Sequence, residues 1–377
     1  MTPTTSKARY IMIGGFLGAG KTTAVGRLAG HLVGQGLRVG LITNDQGSNL
    51  VDTAMLRSQG FATEEIPGGC FCCRFNSLVD ASRRLTASTR PEVFIAEPVG
   101  SCTDLAATVT YPLRRLYGND FTVAPVSVLA DPIRALRVFG LEKGGSFSEK
   151  VVYIYLKQIE EADLVVINKS DLLDELRLES LRQAIMARFP GKEILTASAR
   201  DGTNLEEWFG RLTSAEQVAR TAMPVDYQVY ADGEALLGWL NGTVQLAATQ
   251  EFDADQFLKG LAEKIQKRLE AAQAQVAHLK MTFSPDGSIT GAIAAVNLVR
   301  NDFVPELSFH LDGPVTSGQL IVNLRAEGAP ELLETVFREE IEAAGKNFPA
   351  LQATLHHLEH FRPGKPTPTH RLQELSA

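Results

Sequence analysis

A glycine-rich stretch near the start of the chain, residues 11–23, limits most strongly what this sequence can fold into. It reads IMIGGFLGAGKTT, in which a hydrophobic run typical of a buried strand breaks into a turn that ends in Lys-Thr-Thr. Four positions fit the phosphate-loop spacing G-x-x-x-x-G-K-[ST], namely Gly15, Gly20, Lys21 and Thr22. Glycines let successive N–H groups point at a phosphate, and the lysine and the following helix N-terminus add positive charge. The stretch therefore predicts a nucleoside triphosphate site, with an ordinary glycine-rich turn as the alternative.

Apolar runs and helix-compatible segments alternate in the first part of the chain, as in a parallel sheet covered by helices on both faces. The apolar runs lie at residues 11–13, 39–42, 93–96, 123–129 and 164–167, and the helical spacing lies at 23–33, 78–87, 105–116 and 173–189. From about Pro224 the pattern changes to a helix candidate at 257–269, alternating strand candidates, and a second helix from Pro330 to Ile341. The sequence predicts an α/β fold, a P-loop NTPase with a mostly parallel sheet flanked by helices, plus a smaller α+β C-terminal domain.

Composition excludes several classes of protein. The 377 residues are 44% hydrophobic and 21% charged, which indicates a globular chain long enough for two domains. A net charge of −7 repels polyanions, so we expect no nucleic-acid or membrane partner. No apolar run approaches the roughly 20 residues that span a bilayer, and residues 1–8 lack the apolar core of a signal peptide. We therefore expect a cytoplasmic protein.

A guanine-reading motif follows the apolar run at 164–167. Asn168, Lys169 and Asp171 fit the pattern N-K-x-D. The carboxylate of Asp171 can accept two hydrogen bonds from guanine, whereas adenine would leave an acceptor facing it, a buried mismatch of at least roughly 1 to 3 kcal/mol. Ser198 and Ala199, after another strand-like run, are candidates for backbone support of the base. The motif predicts GTP as the nucleotide, with a solvated turn as the alternative.

Two acidic motifs end predicted strands beside the predicted phosphates, NDQG at 44–47 and EPVG at 97–100. A bare carboxylate next to a triphosphate is repelled unless Mg²⁺ or a water lies between them. Asp45 and Glu97 are therefore candidate catalytic residues together with Lys21, and Thr22 and Asp45 are candidate Mg²⁺ ligands. Helix capping is the alternative for either carboxylate. The remaining candidate nucleotide-binding residues are Gly15, Gly18, Ala19, Gly20, Thr23 and Gly100.

Three cysteines form one tight motif, GGCFCC at 68–73. The thiols of Cys70, Cys72 and Cys73 are a soft, compact donor set suited to Zn²⁺, or to another thiophilic ion such as Co²⁺ or Ni²⁺. A disulfide between neighbours would be strained. Buried inert cysteines are the alternative. Cys102, just past EPVG, is a candidate fourth ligand, with a small buried thiol as the alternative.

The motifs GGFLGAGKTT, NDQG, GGCFCC, EPVG and NKSD, in that order, resemble the CobW-type metallochaperone GTPases, relatives of the hydrogenase and urease nickel-insertion GTPases. The resemblance implies a GTPase that carries a metal ion, or assists cofactor delivery, to a client metalloprotein or corrinoid protein. It also implies a nucleotide-dependent homodimer. This chain has Asp45 where the family commonly has glutamate, and the rigid Pro98 within EPVG. It lacks the long histidine-rich loop of many members.

The domain boundaries predicted from these patterns are a disordered N-terminus at 1–8, a P-loop GTPase domain at 9–214, a linker at 215–223, a CobW-like α+β domain at 224–350, and a histidine-containing, proline-rich tail at 351–377. In that tail His356 and His360 would share a helix face, either as a secondary metal-loading site or as a solvated surface. The function predicted is GTP-driven loading or release of a thiolate-bound metal. The rivals are a GTPase chaperone for a corrinoid-dependent enzyme, a P-loop small-molecule kinase and a non-catalytic metal store.

Overall fold

The structure is a computed structural model that describes residues 7–47, 51–218, 220–288, 291–347 and 351–373. The chain divides into two compact units. The first comprises Met1–Gln46, Phe61–Tyr230 and Pro366–Ala377, and the second comprises Gly47–Gly60 and Ala231–Lys365. A short segment that starts at Gly47 therefore belongs with the second unit, and the end of the tail belongs with the first unit. Most of the predicted disordered N-terminus lies outside the described residues, but Ala8 already opens the first strand.

Helices and strands follow the chain in this order. Up to Ser214 they are β1 (Ala8–Gly15), α1 (Lys21–Gly34), β2 (Val39–Asn44), α2 (Val51–Ser58), β3 (Thr63–Ile66), α3 (Phe75–Ser88), β4 (Val93–Glu97), α4 (Tyr111–Tyr117), β5 (Phe121–Val123), β6 (Ser127–Ala130), α5 (Pro132–Val138), α6 (Glu149–Glu161), β7 (Leu164–Ile167), α7 (Glu175–Arg188), β8 (Glu193–Thr196) and α8 (Leu205–Ser214). Beyond it they are α9 (Tyr227–Leu236), β9 (Leu237–Phe252), α10 (Ala254–Ala271), β10 (Gln275–Pro285), β11 (Ala294–Leu298), β12 (Glu306–Phe309), β13 (Val315–Glu327), α11 (Pro330–Asn347) and β14 (Leu351–Phe361).

A parallel sheet forms the core of the first unit. Within the described residues its strand order is β3-β2-β4-β1-β6-β7-β8, with β5 also paired to β1. The central strands are buried along most of their length, which is why their sequences are continuous apolar runs. The predicted α/β fold class is therefore confirmed, and the motifs GAGKTT, NDQG, EPVG and NKSD all follow the carboxyl ends of strands of this sheet.

Local sequence explains where this sheet differs from the prediction. The single strand predicted at 123–129 is wrong, because Pro125 separates β5 from β6 and has no N–H to donate to a ladder. The edge strand β3 was not predicted, since its sequence TEEI has no apolar run. The helix predicted at 105–116 begins as a π-helical segment, Ala106–Thr110, in which the N–H of Tyr111 bonds to the carbonyl of Ala106.

An antiparallel sheet forms the second unit. Its order is β12-β11-β10-β13-β9-β14, and the apolar faces of α10 and α11 contribute to the same hydrophobic core as the sheet. Helix α2 also belongs to this unit, because Val51 and Met55 lie in a small cluster with Ile293 and Ala295. The predicted α+β class and the helix at 257–269 are confirmed. The long strand β9 was not predicted.

Residues predicted as tail form a strand of this second sheet. β14 pairs with β9, and the register shifts between Leu355 and His357. The predicted helical pairing of His356 and His360 is wrong, because residues four apart in a strand are about 13 Å apart rather than one helical turn. His360 Nδ1 lies 3.0 Å from a carboxylate oxygen of Glu334 on α11. The histidines therefore do not converge as a helical metal site.

None of the helices in the described part of the chain is both long enough and apolar enough to cross a lipid bilayer.

Candidate functional site

The phosphate loop joins β1 to α1 and is shaped by Gly20, whose φ is 94°. A Cβ on this residue would lie 2.5 Å from the Asn168 side-chain nitrogen, so only glycine allows the two motifs to approach this closely. The ammonium of Lys21 donates to the carbonyls of Gly15 at 2.9 Å and Phe16 at 3.4 Å. The Lys21 side chain is thus folded back against the backbone of the phosphate loop. Its positive charge lies beside the N–H groups of the first turn of α1.

The base-reading motif is tied directly to the phosphate loop. The side-chain amide of Asn168 donates to the carbonyl of Ala19 at 2.8 Å and accepts from the N–H of Ala199 at 3.0 Å. Lys169, at φ 56°, donates to the carbonyl of Gly18 at 2.8 Å. Asp171 is exposed, so its carboxylate is open to solvent. Asn168 and Lys169 therefore brace the loop, while Asp171 remains accessible.

Sequence reasoning missed Asp131, which completes this part of the site. Its carboxylate lies 2.8 Å from the Lys169 ammonium and also caps α5 by accepting from the N–H of Arg134. The Asp131 carboxylate of this pair is buried, and it holds the Lys169 side chain against the phosphate loop. The signal that could have found it is the Asp-Pro step at the end of β6, a common helix start.

Ser198, a candidate for backbone support of the base, is buried, and its N–H bonds to the carbonyl of Thr203 rather than to Asn168.

A hydroxyl and a carboxylate meet beside the phosphate loop. The Thr22 hydroxyl donates to Glu97 at 3.0 Å, and both side chains are buried. Gly100 lies against the loop, because a Cβ there would be 3.0 Å from the backbone nitrogen of Leu17. Thr23, by contrast, is exposed on α1. Asp45 is buried, and Glu97 is the last residue of β4. Carboxylate and hydroxyl oxygens such as these are the hard donors that Mg²⁺ prefers.

The thiols of Cys70, Cys72 and Cys73 converge on one point. Their sulfur atoms are 2.8 Å apart for Cys70 and Cys72, 3.3 Å for Cys70 and Cys73, and 3.7 Å for Cys72 and Cys73. A turn makes this possible, because the N–H groups of Cys73 and Arg74 both bond to the carbonyl of Cys70. Zinc with Zn–S bonds of about 2.3 Å separates tetrahedral sulfur ligands by about 3.8 Å. The three sulfurs are thus grouped more closely than the ligands of a bound zinc ion, and they would move apart by up to about 1 Å to hold one.

Cys102 joins this group through Cys70. Hydrogen bonds from Cys102, Cys72 and Cys73 lower the pKa of the Cys70 thiol well below its usual range, because each stabilises a sulfur anion. The same interaction raises the pKa of Cys72, which donates to Cys70. Cys102 itself is buried, and its carbonyl accepts from the Gln158 side chain at 2.8 Å. The sulfurs of Cys72 and Cys73 therefore favour a thiolate at Cys70, and Cys102 adds to this from outside the loop sequence.

Asn44 connects the cysteine loop to the nucleotide side of the sheet. Its side chain donates to the carbonyls of Ile66 at 2.9 Å and Gly69 at 2.7 Å, and accepts from the N–H of Phe71 at 2.8 Å. Backbone bonds between Asp45 and the same loop add to this, since the Asp45 carbonyl accepts from the N–H of Gly69. The end of β2 therefore holds the loop that carries the thiols.

A short path leads from Asn44 to the phosphate loop. The preceding residue, Thr43, is the register partner of Glu97 on the neighbouring strand β4. Glu97 in turn accepts the Thr22 hydroxyl hydrogen bond. Adjacent strands are about 4.8 Å apart, so the backbone of Asn44 lies one strand across and one residue along from the backbone of Glu97.

Comparison with known proteins places this arrangement in a family. Residues 9–196 match the family model of the CobW/HypB/UreG nucleotide-binding domain. This part of the chain is a nucleotide-binding domain of the CobW/HypB/UreG family. That span includes the phosphate loop, the cysteine loop, Cys102 and the base-reading motif, so the clustered motifs all lie within the part that defines the family.

Two relatives in this family carry names that mention zinc. The zinc chaperone CobW of Sinorhizobium sp is 31% identical over 198 residues, which cover 47% of this chain and 55% of the relative. The zinc chaperone YeiR of Escherichia coli (strain K12) is 30% identical over 170 residues, which cover 43% of this chain and 47% of the relative. The chain thus spans about half the length of the curated relatives it matches. A solved structure of HypB from Helicobacter pylori in complex with nickel is a more distant match, with a TM-score of 0.40 and 20% identity. The match covers 54% of this chain and 84% of that one.

Proposed function

We propose that this chain is a GTP-hydrolysing metallochaperone, which binds a thiophilic divalent ion at its cysteine loop and delivers it to a client protein. The observation that carries the proposal is the set of hydrogen bonds from Asn44 to the loop of Cys70, Cys72 and Cys73. A metal carrier driven by nucleotide needs a metal affinity that differs between nucleotide states. The hydrogen bonds of Asn44 link the end of β2 to the cysteine loop, and so provide a physical route by which nucleotide state can change metal affinity.

The nucleotide chemistry rests on the buried polar groups around the phosphate loop. Lys21 exchanges its carbonyl partners for phosphate oxygens when GTP enters, since a phosphate is the stronger acceptor. Thr22 and Asp45 are the proposed Mg²⁺ ligands, and the bound ion neutralises charge on the phosphates. Glu97 holds the Thr22 hydroxyl and orients the attacking water. Asp171 reads guanine, and Asn168 fixes the loop beneath it.

The metal chemistry rests on the sulfur cluster. Cys70, Cys72 and Cys73 are the proposed ligands of the transported ion, and Cys102 is the proposed fourth, because its thiol bonds to Cys70. A set of four thiolates favours Zn²⁺, with Co²⁺ as the second choice for the same tetrahedral geometry. The names of the two relatives support zinc as the ion that this chain carries. A client metalloprotein is then the acceptor, and a nucleotide-dependent homodimer is the proposed state for transfer.

Enzyme assays on the reduced full chain test this proposal and its rivals. We expect Mg²⁺-dependent release of inorganic phosphate from GTP, loss of that release in Lys21→Ala, and one Zn²⁺ per chain. Cys72→Ser keeps the GTPase and loses zinc affinity, which separates the two sites. A phosphorylated small molecule in place of free phosphate would indicate a kinase. A GTPase rate that responds to a corrinoid client but not to Zn²⁺ or Co²⁺ would indicate a corrinoid-enzyme chaperone.

A further inference from the structure

The last described residues of the chain lie along the cysteine loop. We call residues 366–373 the C-terminal strap. The N–H of Thr367 donates to the Cys73 sulfur at 3.2 Å, and the N–H of Thr369 donates to the carbonyl of Cys72 at 2.8 Å. The Thr369 hydroxyl donates to the carbonyl of Cys73 at 3.2 Å. Backbone and side-chain groups of the strap therefore contact two of the three clustered cysteines directly.

Proline spacing explains why the strap runs extended. Pro366 and Pro368 flank Thr367, lack N–H groups, and restrict the residue before each of them to extended conformations. In an extended chain the N–H groups of alternate residues point the same way, so Thr367 and Thr369 both face the loop. Proline also reduces the freedom that the unbound strap would gain, which lowers the entropic cost of docking.

A buried ion pair holds the far end of the strap. Arg371 Nε donates to the carboxylate of Asp104 at 2.6 Å, and the Asp104 side chain is only 2% exposed. The Tyr227 hydroxyl donates to the same carboxylate oxygen at 2.7 Å. The Leu372 N–H then bonds to the carbonyl of Ala107. Removing one partner of so buried a pair is strongly unfavourable, so this contact sets how firmly the strap docks.

Aromatic packing fixes the middle of the strap. The ring of His370 lies edge-on to Phe75, with centroids 4.9 Å apart and planes at 88°. Phe75 is the first residue of α3, two positions after Cys73. The strap is thus attached on both sides of the cysteine loop, at Phe75 and at the segment that carries Cys102 and Asp104.

We propose that the C-terminal strap is an intramolecular gate over the cysteine site, and that the Arg371–Asp104 pair is its latch. With the latch closed, the strap covers the outer side of Cys73 and holds its sulfur by the Thr367 N–H. An external reagent, or the protein that accepts the metal, reaches these thiols after the strap undocks. The metal-transfer part of this inference rests on the proposed function, whereas the covering of the thiols does not.

Alkylation of the reduced, metal-free full chain tests the gate without metal or nucleotide. Iodoacetamide labelling at fixed pH is followed by mass spectrometry, with fragmentation to assign the modified cysteine. Arg371→Ala removes the latch and Thr367→Pro removes the N–H that reaches Cys73 while retaining an extended backbone. We expect either change to raise the Cys73 labelling rate by about tenfold, the effect of a 1.4 kcal/mol shift in the opening equilibrium. Thr367→Ala keeps the N–H and Arg362→Ala removes an arginine outside the strap, so both controls should label at the wild-type rate.

Zinc transfer to a chromogenic chelator then tests the same variants when loaded with Zn²⁺ alone. The gate is supported if Arg371→Ala and Thr367→Pro lose zinc faster than the wild type while both control variants lose it at the wild-type rate. Unchanged Cys73 labelling in both variants would overturn the gate, whereas faster labelling with unchanged zinc loss would overturn its part in metal transfer. If no form of the protein takes up zinc, the proposed metal-carrying function fails, and the gate on the thiols is still decided by the labelling rates.

Discussion

The side-chain oxygen of Asn44 accepts a hydrogen bond from the N–H of Phe71 at 2.8 Å, so the last residue of β2 holds the middle of the cysteine loop. The amide of Asn44 also donates to two carbonyls on the approach to that loop. One side chain thereby satisfies three backbone groups of a segment that carries the thiols. Any movement at the end of β2 is transmitted to the loop through these bonds.

Asn44→Ala should uncouple the two sites while leaving each in place. Loss of the three hydrogen bonds weakens the attachment of the loop to the end of β2, leaving the backbone bonds of Asp45, while the thiols and the phosphate loop keep their own contacts. Allosteric coupling between sites is typically about 1 to 3 kcal/mol, or roughly 5- to 150-fold in affinity. We expect the ratio of zinc affinities with GDP and with a non-hydrolysable GTP analogue to fall towards one in this variant. The measurement is competitive zinc titration in both nucleotide states, with exposed Asn204→Ala as the control. A wild-type ratio in Asn44→Ala would show that Asn44 is not the link.

Asp171→Asn should change which base the protein prefers. An asparagine can donate one hydrogen bond and accept one, so it no longer matches the two donors of guanine. We expect GDP affinity to fall by about 5- to 150-fold, corresponding to a mismatch of roughly 1 to 3 kcal/mol. Xanthine has a carbonyl oxygen where guanine has its amine, so xanthosine diphosphate should bind the variant better than GDP does. Fluorescent nucleotide titrations check this, with Asp120→Asn as an exposed control. GDP binding at the wild-type level in Asp171→Asn would remove this residue from the base site.

Cys102→Ser should weaken zinc binding if the fourth sulfur is a ligand. Serine has nearly the same size but offers a hard oxygen in place of a thiolate, which a tetrahedral zinc site favours less. We expect the zinc dissociation constant to rise by at least about tenfold. Cobalt substitution provides the second readout, because loss of one thiolate lowers the sulfur-to-cobalt charge-transfer absorption. Unchanged zinc affinity and an unchanged cobalt spectrum, with GDP and with the GTP analogue, would leave Cys102 as a packing residue.

Glu161→Gln should alter how stability depends on pH. Burial raises the pKa of Glu161 to about 8, from an ordinary value of 4.5, although it accepts bonds from Ala106 and Thr103. Between these values the unfolded chain ionises this group while the folded chain retains the proton. The contribution of this group to the free energy of unfolding is therefore complete below pH 4.5 and falls by about 1.4 kcal/mol per pH unit up to about pH 8.

Glutamine cannot ionise, so the stability of Glu161→Gln relative to the wild type should rise through this window and level off above it. Urea unfolding at several pH values gives the difference. A Trp239→Phe background in both proteins leaves Trp208 in the nucleotide-binding unit as the one tryptophan reporter. A difference that does not change between pH 5 and 8 would mean that Glu161 ionises normally in the folded chain.

Local sequence was sufficient where a function depends on consecutive residues. The phosphate loop, the base-reading motif and the cysteine motif each place several groups within a few residues of one another, and fixed strand ends then bring the motifs together. Asn168 approaches Gly20 from β7, which is separated from β1 by β6, so this contact joins two motifs at the same edge of the sheet although their strands are not paired.

Contacts between distant parts of the chain could not be predicted in the same way. Asp131 binds Lys169 from a different loop, and Asn44 acts on the cysteine loop through backbone groups that carry no residue signature. The strap of Thr367 and Arg371 reaches back across more than half of the chain, and its proline pattern indicates only that it is neither helix nor central strand. The predicted helical pairing of His356 with His360 was wrong for a related reason. The short pattern of polar and apolar residues around them fits a strand beside β9 as well as it fits a helix.

Zinc affinity of the reduced wild-type chain, measured with GDP and with a non-hydrolysable GTP analogue, tests the central claim most directly. The affinities of both nucleotides are measured in turn with and without zinc. The account predicts that the two zinc affinities differ by at least about fivefold and that zinc changes the nucleotide affinities by the same factor, as linkage requires. Equal zinc affinity in both nucleotide states, with nucleotide bound normally, would contradict it.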